Sequence, residues 1–335
     1  MAAIHSAALG SARCIGVRRC ALGLLLCLAA GCPSFQQAPN TIWGTAGYVA
    51  VGQEKIYVHD RGRGPALLLI HGYGAAHDTW LPLLSELERD HRVLAVDLPG
   101  FGRSDKYAGD YSPSGLADKL FQVLDQKGIK EAQLIAHSWG TSIALAMALQ
   151  QPARVKSLTL ISAWVYEDQL PPFLLWARAP WVGEILYTLF YKERIDDRMS
   201  LTFYEPDRFA TPETVDAVRR TLARPGAVAA ALAAARGQRL RLLEARYRTL
   251  IHPTLLIWGR QDRVSRLHYA QRLVGELRDA RLVVLERCGH VPMFEQTWQV
   301  LRALREFLPR VSLAAAPPPA PAPRPSSLPS PGVPR

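Results

Sequence analysis

The chain has 335 residues, of which 49% are hydrophobic and 21% are charged. This composition is typical of a globular enzyme with one large domain or two smaller ones, and it excludes a mainly disordered, fibrous or multi-span membrane protein. The formal net charge of +11 includes five arginines in the two terminal segments, and the rest of the excess is spread along the chain without a Lys/Arg block. We therefore expect a mildly basic surface rather than a nucleic-acid partner.

The N-terminal segment has the order of a secretory signal. Arginines precede an apolar run, Ala21 to Ala30, which stops at small residues, and we expect residues 1–31 to be a signal peptide. The run is shorter than the roughly 20 residues that a transmembrane helix needs. Its end, Leu-Ala-Ala-Gly-Cys32, resembles the lipobox of bacterial lipoproteins, which implies a lipid on Cys32 and a tether to the membrane over residues 32–45. Ordinary cleavage and release is the alternative.

Cysteine usage agrees with export and with a domain that has no disulfides. Four of the five cysteines precede residue 33, which leaves Cys288 as the only thiol after processing, so no intrachain bridge forms. At the other end, residues 311–335 consist almost entirely of Ala, Pro and Ser. Such a segment buries little apolar area, and we expect an extended, disordered tail.

Strands and helices alternate in the middle of the chain. The predicted strands are Tyr48 to Val51, Lys55 to His59, Ala66 to Ile70, Arg92 to Val96, Gln133 to Ala136, Ser157 to Ile161, Thr254 to Trp258 and Arg281 to Leu285. The predicted helices are Trp80 to Arg89, Pro113 to Lys127, Thr141 to Gln150, Leu267 to Leu277 and Thr297 to Phe307. This alternation predicts an α/β fold with a mostly parallel sheet flanked by helices, built from residues 46–163 and 251–310.

Residues 164–250 interrupt the alternation and contain no convincing strand. An alanine-rich helix around Val228 to Ala235 and several aromatic residues predict a helical insertion between two strands of the sheet. We expect most of its large apolar residues to form the core of the insertion, and a few to line a pocket. These residues are Phe173, Leu174, Trp176, Trp181, Ile185, Leu186 and Phe190.

A serine follows one of the apolar strands at the point where a helix begins. Ala136-His-Ser138-Trp-Gly140 leads directly into the helical stretch Thr141 to Gln150. A serine on a sharp strand-to-helix turn, flanked by small residues, is the context of a nucleophile elbow. Ala136 stands where a glycine is usual, one methyl group more. We predict Ser138 as a catalytic nucleophile.

Its partners follow later in the chain, each just after a strand. Asp262 and His290 occur in the order Ser, Asp, His. A serine needs a base to take its proton, and an acid must orient the imidazole and stabilise its charged form. We therefore predict Asp262 and His290 as the other catalytic residues, with Glu167 or Asp168 as reserve acids.

Two further motifs lie after strands. In His71-Gly-Tyr-Gly74, the backbone N–H of Tyr73 is expected to form an oxyanion hole together with the N–H of Trp139. We interpret His71 as a buried organiser of this loop. The glycine-rich stretch Asp97 to Asp105 lacks the lysine and spacing of a phosphate-binding loop, and we interpret it as a structural turn.

Together these motifs resemble the α/β-hydrolase superfamily over roughly Gly47 to Pro309, with residues 164–250 where that family carries its cap. The resemblance implies the fold and the catalytic roles, but not the substrate. A serine at position 138 argues against haloalkane dehalogenases and epoxide hydrolases, whose nucleophile is an aspartate. Meta-cleavage-product hydrolases are similar in Asp97 to Asp105, and prolyl iminopeptidases around Ser138.

The sequence therefore predicts an exported serine hydrolase acting on an ester of a small or medium lipophilic molecule. Hydrolysis of a C–C or amide bond by the same residues, or a non-catalytic binding protein on this fold, are the alternatives. We expect no metal and no organic cofactor, because the sequence contains no cluster of metal ligands and the chemistry needs none. The oligomeric state stays open.

Overall fold

The computed structural model describes residues 47–106, 109–191 and 195–314. The predicted signal peptide, Cys32, the tether and residues 315–335 lie outside the described residues. Eight strands form one sheet in the order β1-β2-β4-β3-β5-β6-β7-β8. They are β1 (Tyr48–Val51), β2 (Glu54–Arg61), β3 (Ala66–Ile70), β4 (Arg92–Val96), β5 (Ala132–His137), β6 (Val155–Ile161), β7 (Thr254–Gly259) and β8 (Ala280–Leu285).

The sheet is mostly parallel, as the sequence predicted. The pairs from β4 through β3, β5, β6 and β7 to β8 are all parallel, whereas β2 pairs antiparallel with both β1 and β4. The carboxyl ends of the parallel strands therefore lie at one edge of the sheet, where ligand sites of open α/β folds form.

Apolar cores cover both faces of the sheet. Side chains alternate along a strand, so Leu68 and Ile70 of β3 belong to one core and Leu67 and Leu69 to the other. Burial on both faces explains why these strands are continuous apolar runs rather than alternating ones.

Six helices pack around the sheet. They are α1 (Leu81–Leu87), α2 (Pro113–Gln126), α3 (Gly140–Gln150), α11 (Leu267–Glu276), α12 (Pro292–Glu295) and α13 (Thr297–Ala314). The start of α2 follows from its sequence, because the Ser112 side chain accepts a hydrogen bond from the Gly115 N–H and Pro113 occupies the first helical position. Every residue of α3 from Gly140 to Ala148 is buried, so α3 is a central helix of the core.

The last helix contradicts one predicted boundary. α13 runs to Ala314, whereas the sequence predicted an end near Phe307 and a tail from residue 311. The apolar spacing continues past Phe307, since Leu308 is buried together with Leu304. Leucine and alanine in the following residues also favour a helix, and Pro309 lies within α13 without ending it.

Between β6 and β7 the described residues contain helices and no strand. They are α4 (Pro172–Trp176), α5 (Val182–Phe190), α6 (Ile195–Thr202), α7 (Pro206–Phe209), α8 (Pro212–Leu222), α9 (Ala227–Gly237) and α10 (Arg241–Glu244). We call this segment, residues 164–250, the cap. Its predicted core is wrong for most of the large residues: Leu174 is buried, but Phe173, Trp176, Trp181, Ile185 and Phe190 are exposed. For the residues of α5 the cause is that this helix is apolar on both faces, and only one face contacts the rest of the protein.

Candidate active site

Ser138 lies on a strained turn between β5 and α3. Its φ is 49°, in the left-handed region that residues other than glycine rarely adopt. The helix approaches the neighbouring loop closely, since a Cβ on Gly140 would lie 2.6 Å from the Ile70 carbonyl oxygen and closer still to that of His71. Only glycine fits at position 140, whereas the buried methyl group of Ala136 is accommodated within β5.

The three predicted catalytic side chains meet at the carboxyl edge of the sheet. The Nε2 atom of His290 lies 2.9 Å from Ser138 Oγ, and its Nδ1 atom lies 2.9 Å from Asp262 Oδ2. The other oxygen of Asp262 accepts hydrogen bonds from the N–H groups of Val264 and Ser265, at 2.9 and 2.8 Å. All three side chains are buried. The serine, imidazole and carboxylate thus form one hydrogen-bonded chain.

The reserve acids are not part of this chain. Glu167 forms an ion pair with Arg178 and accepts a hydrogen bond from the Leu240 N–H at 3.0 Å, so it ties parts of the cap together. Arg260, a conceivable partner of Asp262, instead forms an ion pair with Glu286. Asp262 is therefore left to orient His290.

The loop that carries His290 is fixed by backbone contacts. The N–H of His290 donates to the Thr202 carbonyl at 2.8 Å, and a Cβ on Gly289 would lie 2.6 Å from that same oxygen. Glu295 accepts hydrogen bonds from the N–H groups of Gly289 and of Tyr204, at 3.0 and 2.7 Å. One carboxylate thus connects the His290 loop to the cap, a role that the sequence analysis missed.

The predicted oxyanion donors lie on either side of Ser138. A Cβ on Gly72 would be 3.1 Å from the Ser138 Cβ, so the loop that contains Tyr73 packs directly against the serine. Within the described residues, neither the Tyr73 N–H nor the Trp139 N–H donates a hydrogen bond to the protein. Two free amides beside a buried serine are suited to bind a developing oxyanion.

His71 organises this loop, as predicted. Its Nδ1–H donates to the Gly72 carbonyl at 2.7 Å, and its Nε2 accepts from the Leu98 N–H at 2.9 Å. Burial lowers the pKa of His71, so the imidazole stays neutral with the proton on Nδ1. Asp97 accepts hydrogen bonds from the N–H groups of His77 and Arg103, which confirms the structural turn.

Three tyrosines connect the loop after β3 to the cap, and we call them the tyrosine cluster: Tyr73, Tyr187 and Tyr191. The Tyr73 hydroxyl donates to the Ala231 carbonyl of α9 at 2.7 Å and accepts from the Tyr187 hydroxyl at 2.7 Å. Tyr187 and Tyr191 stack with their ring centroids 4.8 Å apart. Burial raises the pKa of Tyr191 to about 12 and holds that of Tyr73 well above its usual value, so these phenols stay neutral. The cap therefore contacts the loop of residues 71–74 directly, and we call this loop the oxyanion loop after its predicted role.

His137 is a further residue that the sequence analysis did not assign. Its Nε2–H donates to the His290 carbonyl at 2.8 Å, and the two rings lie 5.0 Å apart. Burial, together with the neighbouring His290, lowers the pKa of His137 to about 3, so the side chain is neutral. His137 adjoins Ser138 in the motif, and this adjacency was the only sequence signal for a role in the site. The contact makes it a positioning residue for His290.

The role of His137 leads to a pH prediction. In the folded protein it binds a proton only near pH 3, whereas the unfolded chain binds one below about 6.5. Its contribution to stability is therefore present above about pH 6.5 and is lost as the pH falls towards 3. His137→Gln keeps an amide N–H that donates to His290 but does not titrate. We expect its free energy of unfolding, measured with urea, to fall less than that of the wild type between pH 7 and pH 5.

The matched variant is His137→Leu, which leaves the buried His290 carbonyl without a donor. It should be destabilised by about 1–3 kcal/mol at pH 7, and kcat should fall as His290 shifts. Equal urea curves for the wild type and both variants at both pH values would contradict this role of His137.

The described part of the chain contains neither a grouped set of metal ligands nor a membrane-spanning helix. In residues 47–106, 109–191 and 195–314, no three His, Cys, Asp or Glu side chains are grouped so as to bind a metal ion. Cys288 is free and buried. No helix among these residues combines the length and apolarity needed to cross a membrane.

The fold and the Ser138–His290–Asp262 chain of hydrogen bonds define the class of protein as a hydrolase with an α/β fold. Residues 65–297 match the family described as the alpha/beta hydrolase fold, and the chain belongs to this family. The predicted α/β fold class and the predicted assignment of the protein as a hydrolase are thus both confirmed.

One protein sequence and two solved structures illustrate what this chain is similar to within that fold. A 2-hydroxymuconate semialdehyde hydrolase of Pseudomonas sp. strain CF600 is 31% identical over 271 residues, which is 77% of this chain and 92% of that protein. A thermophilic esterase from Thermogutta terrifontis superposes with a TM-score of 0.68 at 26% identity, covering 79% of this chain and 97% of that one. A bacterial membrane phospholipase A superposes with a TM-score of 0.64 at 26% identity, covering 88% and 99%. The three proteins carry different names: a semialdehyde hydrolase, an esterase and a phospholipase.

Proposed function

We propose that this protein is an exported serine hydrolase that cleaves an ester of a small or medium lipophilic molecule through an acyl-enzyme. One observation carries the proposal: the Ser138 hydroxyl, the His290 imidazole and the Asp262 carboxylate are joined by two hydrogen bonds of 2.9 Å. A serine hydroxyl is a weak nucleophile alone, and an adjacent base that a third group orients is what activates it.

Acylation begins when Ser138 Oγ attacks the ester carbonyl carbon and His290 Nε2 takes the hydroxyl proton. Asp262 stabilises the imidazolium and keeps its Nδ1 proton directed at the carboxylate. The negative charge on the former carbonyl oxygen is stabilised by the N–H groups of Tyr73 and Trp139. Collapse of this intermediate breaks the ester bond, and His290 gives its proton to the leaving alkoxide, which departs as the alcohol.

Deacylation repeats these steps with water. His290 takes a proton from a water molecule that attacks the acyl carbon, and the proton then returns to Ser138 as the acid is released. Every proton and charge in this cycle is carried by the triad and the two amides, so no metal or cofactor takes part. The cap, which contacts the oxyanion loop through the tyrosine cluster, would exclude water from the pocket and shape it for a lipophilic substrate.

Two kinds of bond are candidates for cleavage, an ester bond and a C–C bond. Similarity to an esterase structure favours an ester of a lipophilic molecule. Similarity to a 2-hydroxymuconate semialdehyde hydrolase favours cleavage of a C–C bond by the same residues. Both reactions are hydrolyses of a carbonyl compound, and only the leaving group differs.

The location belongs to the same proposal. The leader over residues 1–31 and the lipobox-like ending at Cys32 support export and a lipid anchor. Similarity to a membrane phospholipase A supports a position at a membrane. The domain would then be tethered through residues 32–45, which reach up to about 45 Å when fully extended.

The test is labelling of the folded protein with a fluorophosphonate, together with a series of p-nitrophenyl esters of increasing acyl length. We expect the wild type to be labelled and to hydrolyse the esters, because the probe phosphorylates an activated serine. Ser138→Ala should do neither. The chain-length profile reports the depth of the acyl pocket, and 2-hydroxymuconate semialdehyde as a parallel substrate tests the C–C alternative.

The outcomes separate the candidates. Labelling together with faster turnover of the C–C substrate than of every ester would replace the ester assignment. A folded wild type that binds neither probe nor substrate productively would contradict the hydrolase mechanism and favour a binding protein on this fold.

A further inference from the structure

The outer surface of the cap is apolar over two consecutive helices. The side chains concerned all lie in α4, in α5 or in the link between them, and each is exposed to solvent. We call this surface the apolar cap face, and it consists of Trp176, Trp181, Val182, Ile185, Leu189 and Phe190. Contiguous exposed apolar side chains on a water-soluble domain mark a surface that another apolar phase covers.

Helix α5 has two apolar faces, one packed against the protein and one exposed to solvent. Tyr187 and Gly183 point into the protein, where Tyr187 binds the Tyr73 hydroxyl and a Cβ on Gly183 would meet Leu232 of α9 at 2.8 Å. Trp181, Ile185 and Leu189 follow one another at spacings of four residues and form a stripe on the opposite side. A surface helix of a globular protein is ordinarily polar on its outer side, and a helix that is apolar all round is ordinarily buried.

Charge is nearly absent from this part of the chain. Between Leu170 and Tyr191 the only charged residues are Arg178 and Glu184. Arg178 forms an ion pair with Glu167, and Glu184 forms one with Arg236 at 2.7 Å. Both charges are therefore matched within the protein, and the apolar cap face itself carries no charged side chain.

We infer that the apolar cap face docks on the surface of a phospholipid bilayer. Its six side chains contain no hydrogen-bonding group except two indole N–H groups, whereas a specific protein interface needs regular hydrogen bonds. Tryptophans beside aliphatic side chains match the boundary between headgroups and acyl chains. Without the three arginines of the predicted signal peptide, the formal net charge of +11 becomes +8, which adds attraction to anionic lipids.

In this arrangement α5 lies parallel to the bilayer surface and does not span the bilayer. α5 has 9 residues, far fewer than the roughly 20 that span a bilayer, so only a position parallel to the membrane surface fits. This inference rests on the proposed location at a membrane, and it adds a second contact to the tether at residues 32–45. Docking would place the tyrosine cluster, and through it the oxyanion loop, one helix diameter of about 10 Å from the lipid.

The experiment measures flotation of the full chain with vesicles of phosphatidylethanolamine and phosphatidylglycerol. Cys32→Ser is the background, since it has no acyl anchor. In this background we compare the triple variant Trp181→Gln, Ile185→Gln, Leu189→Gln with a matched triple variant outside the cap, Trp298→Gln, Ile251→Gln, Leu81→Gln. The two sets contain the same residue types, and their exposures are similar, 70, 52 and 57% against 71, 63 and 60%.

We expect the Cys32→Ser protein and the matched variant to float, and the cap-face variant to partition about a hundredfold less into the vesicles, because three large apolar side chains no longer leave water. Equal flotation of both triple variants would overturn the inference, since another segment would then bind the lipid. Failure of the Cys32→Ser protein to float would also overturn it. If that protein is instead a dimer in sedimentation velocity and the cap-face variant is a monomer, a second copy covers the face.

This result is independent of catalysis. Fluorophosphonate labelling of the same proteins in detergent-free buffer reports the triad alone, so loss of flotation with unchanged labelling assigns the defect to docking. Wild-type protein from a host that lipidates Cys32 should float more strongly than Cys32→Ser, which measures the contribution of the anchor.

Discussion

Ser138→Ala is expected to lower kcat for a p-nitrophenyl ester by about 10⁴- to 10⁶-fold while the protein stays folded, because the attacking oxygen is removed from a site that is otherwise intact. His290→Ala should cause a loss of similar size, since the hydroxyl then has no base 2.9 Å away. The double variant should be no worse than either single one, because the two groups act as a unit. Steady-state kinetics with circular dichroism of each variant checks the prediction.

Asp262→Asn isolates the third member of the chain. The amide occupies the same space but no longer stabilises the imidazolium or selects its tautomer, and we expect kcat to fall by about 10⁴-fold. For His290→Ala the matched control is His268→Ala. His268 is exposed on α11, and its ring packs against Tyr269. Should His290→Ala and His268→Ala have the same kcat as the wild type, the hydrogen-bonded chain would not be the catalytic machinery.

Gly140→Ala is expected to destabilise the protein strongly for the addition of a single methyl group. The added Cβ would overlap the carbonyl oxygens of Ile70 and His71, both of which belong to backbone and cannot rotate away. The N-terminus of α3 must then move from β3, which costs about 1–3 kcal/mol and separates the Trp139 amide from the loop of Tyr73. We therefore expect a lower melting temperature, by about 2–4 °C per kcal/mol, together with a fall in kcat.

Gly275→Ala is the control for this substitution. Gly275 lies in α11, is exposed, and has nothing within 4 Å of an added Cβ. Alanine there should raise stability by about 0.5–1 kcal/mol, because glycine loses more backbone entropy in a helix. If both variants melt at the same temperature and both are fully active, the close approach of α3 to the loop after β3 is not a requirement of the fold.

The strands were the most predictable part of the fold. Ala66–Ile70 and Arg92–Val96 match the predicted bounds, because each is a short apolar run that ends abruptly at polar residues. Five strands, β2, β5, β6, β7 and β8, are one to three residues longer than predicted, since pairing with a neighbour continues beyond the apolar run. The predicted end of α13 was wrong because the composition from residue 311 onwards indicated a disordered tail, whereas the helix continues to Ala314.

The three residues of the hydrogen-bonded chain, Ser138, His290 and Asp262, were predictable because each belongs to a short local pattern. A serine between a strand and a helix, and an acid and a histidine just after strands, specify their own positions at the carboxyl edge of a parallel sheet. The residues that support them follow no such pattern. His137 contacts His290 across a separation of 153 residues, and Glu295 bonds to Tyr204 across 91. Such pairs exist only once the chain has folded.

By itself the sequence determined the fold class, the order of the strands along the chain and the three residues that form the hydrogen-bonded chain, since hydrophobic periodicity and local turn chemistry act over a few residues. Only the tertiary structure decided which side of each apolar helix is covered. In α5 both faces are apolar, so periodicity carries no direction, and the choice is made by contacts with Tyr73 and Leu232 that lie far away in the chain. These contacts turn Tyr187 inwards and leave Trp181 in solvent. The apolar cap face is therefore a product of packing between distant segments.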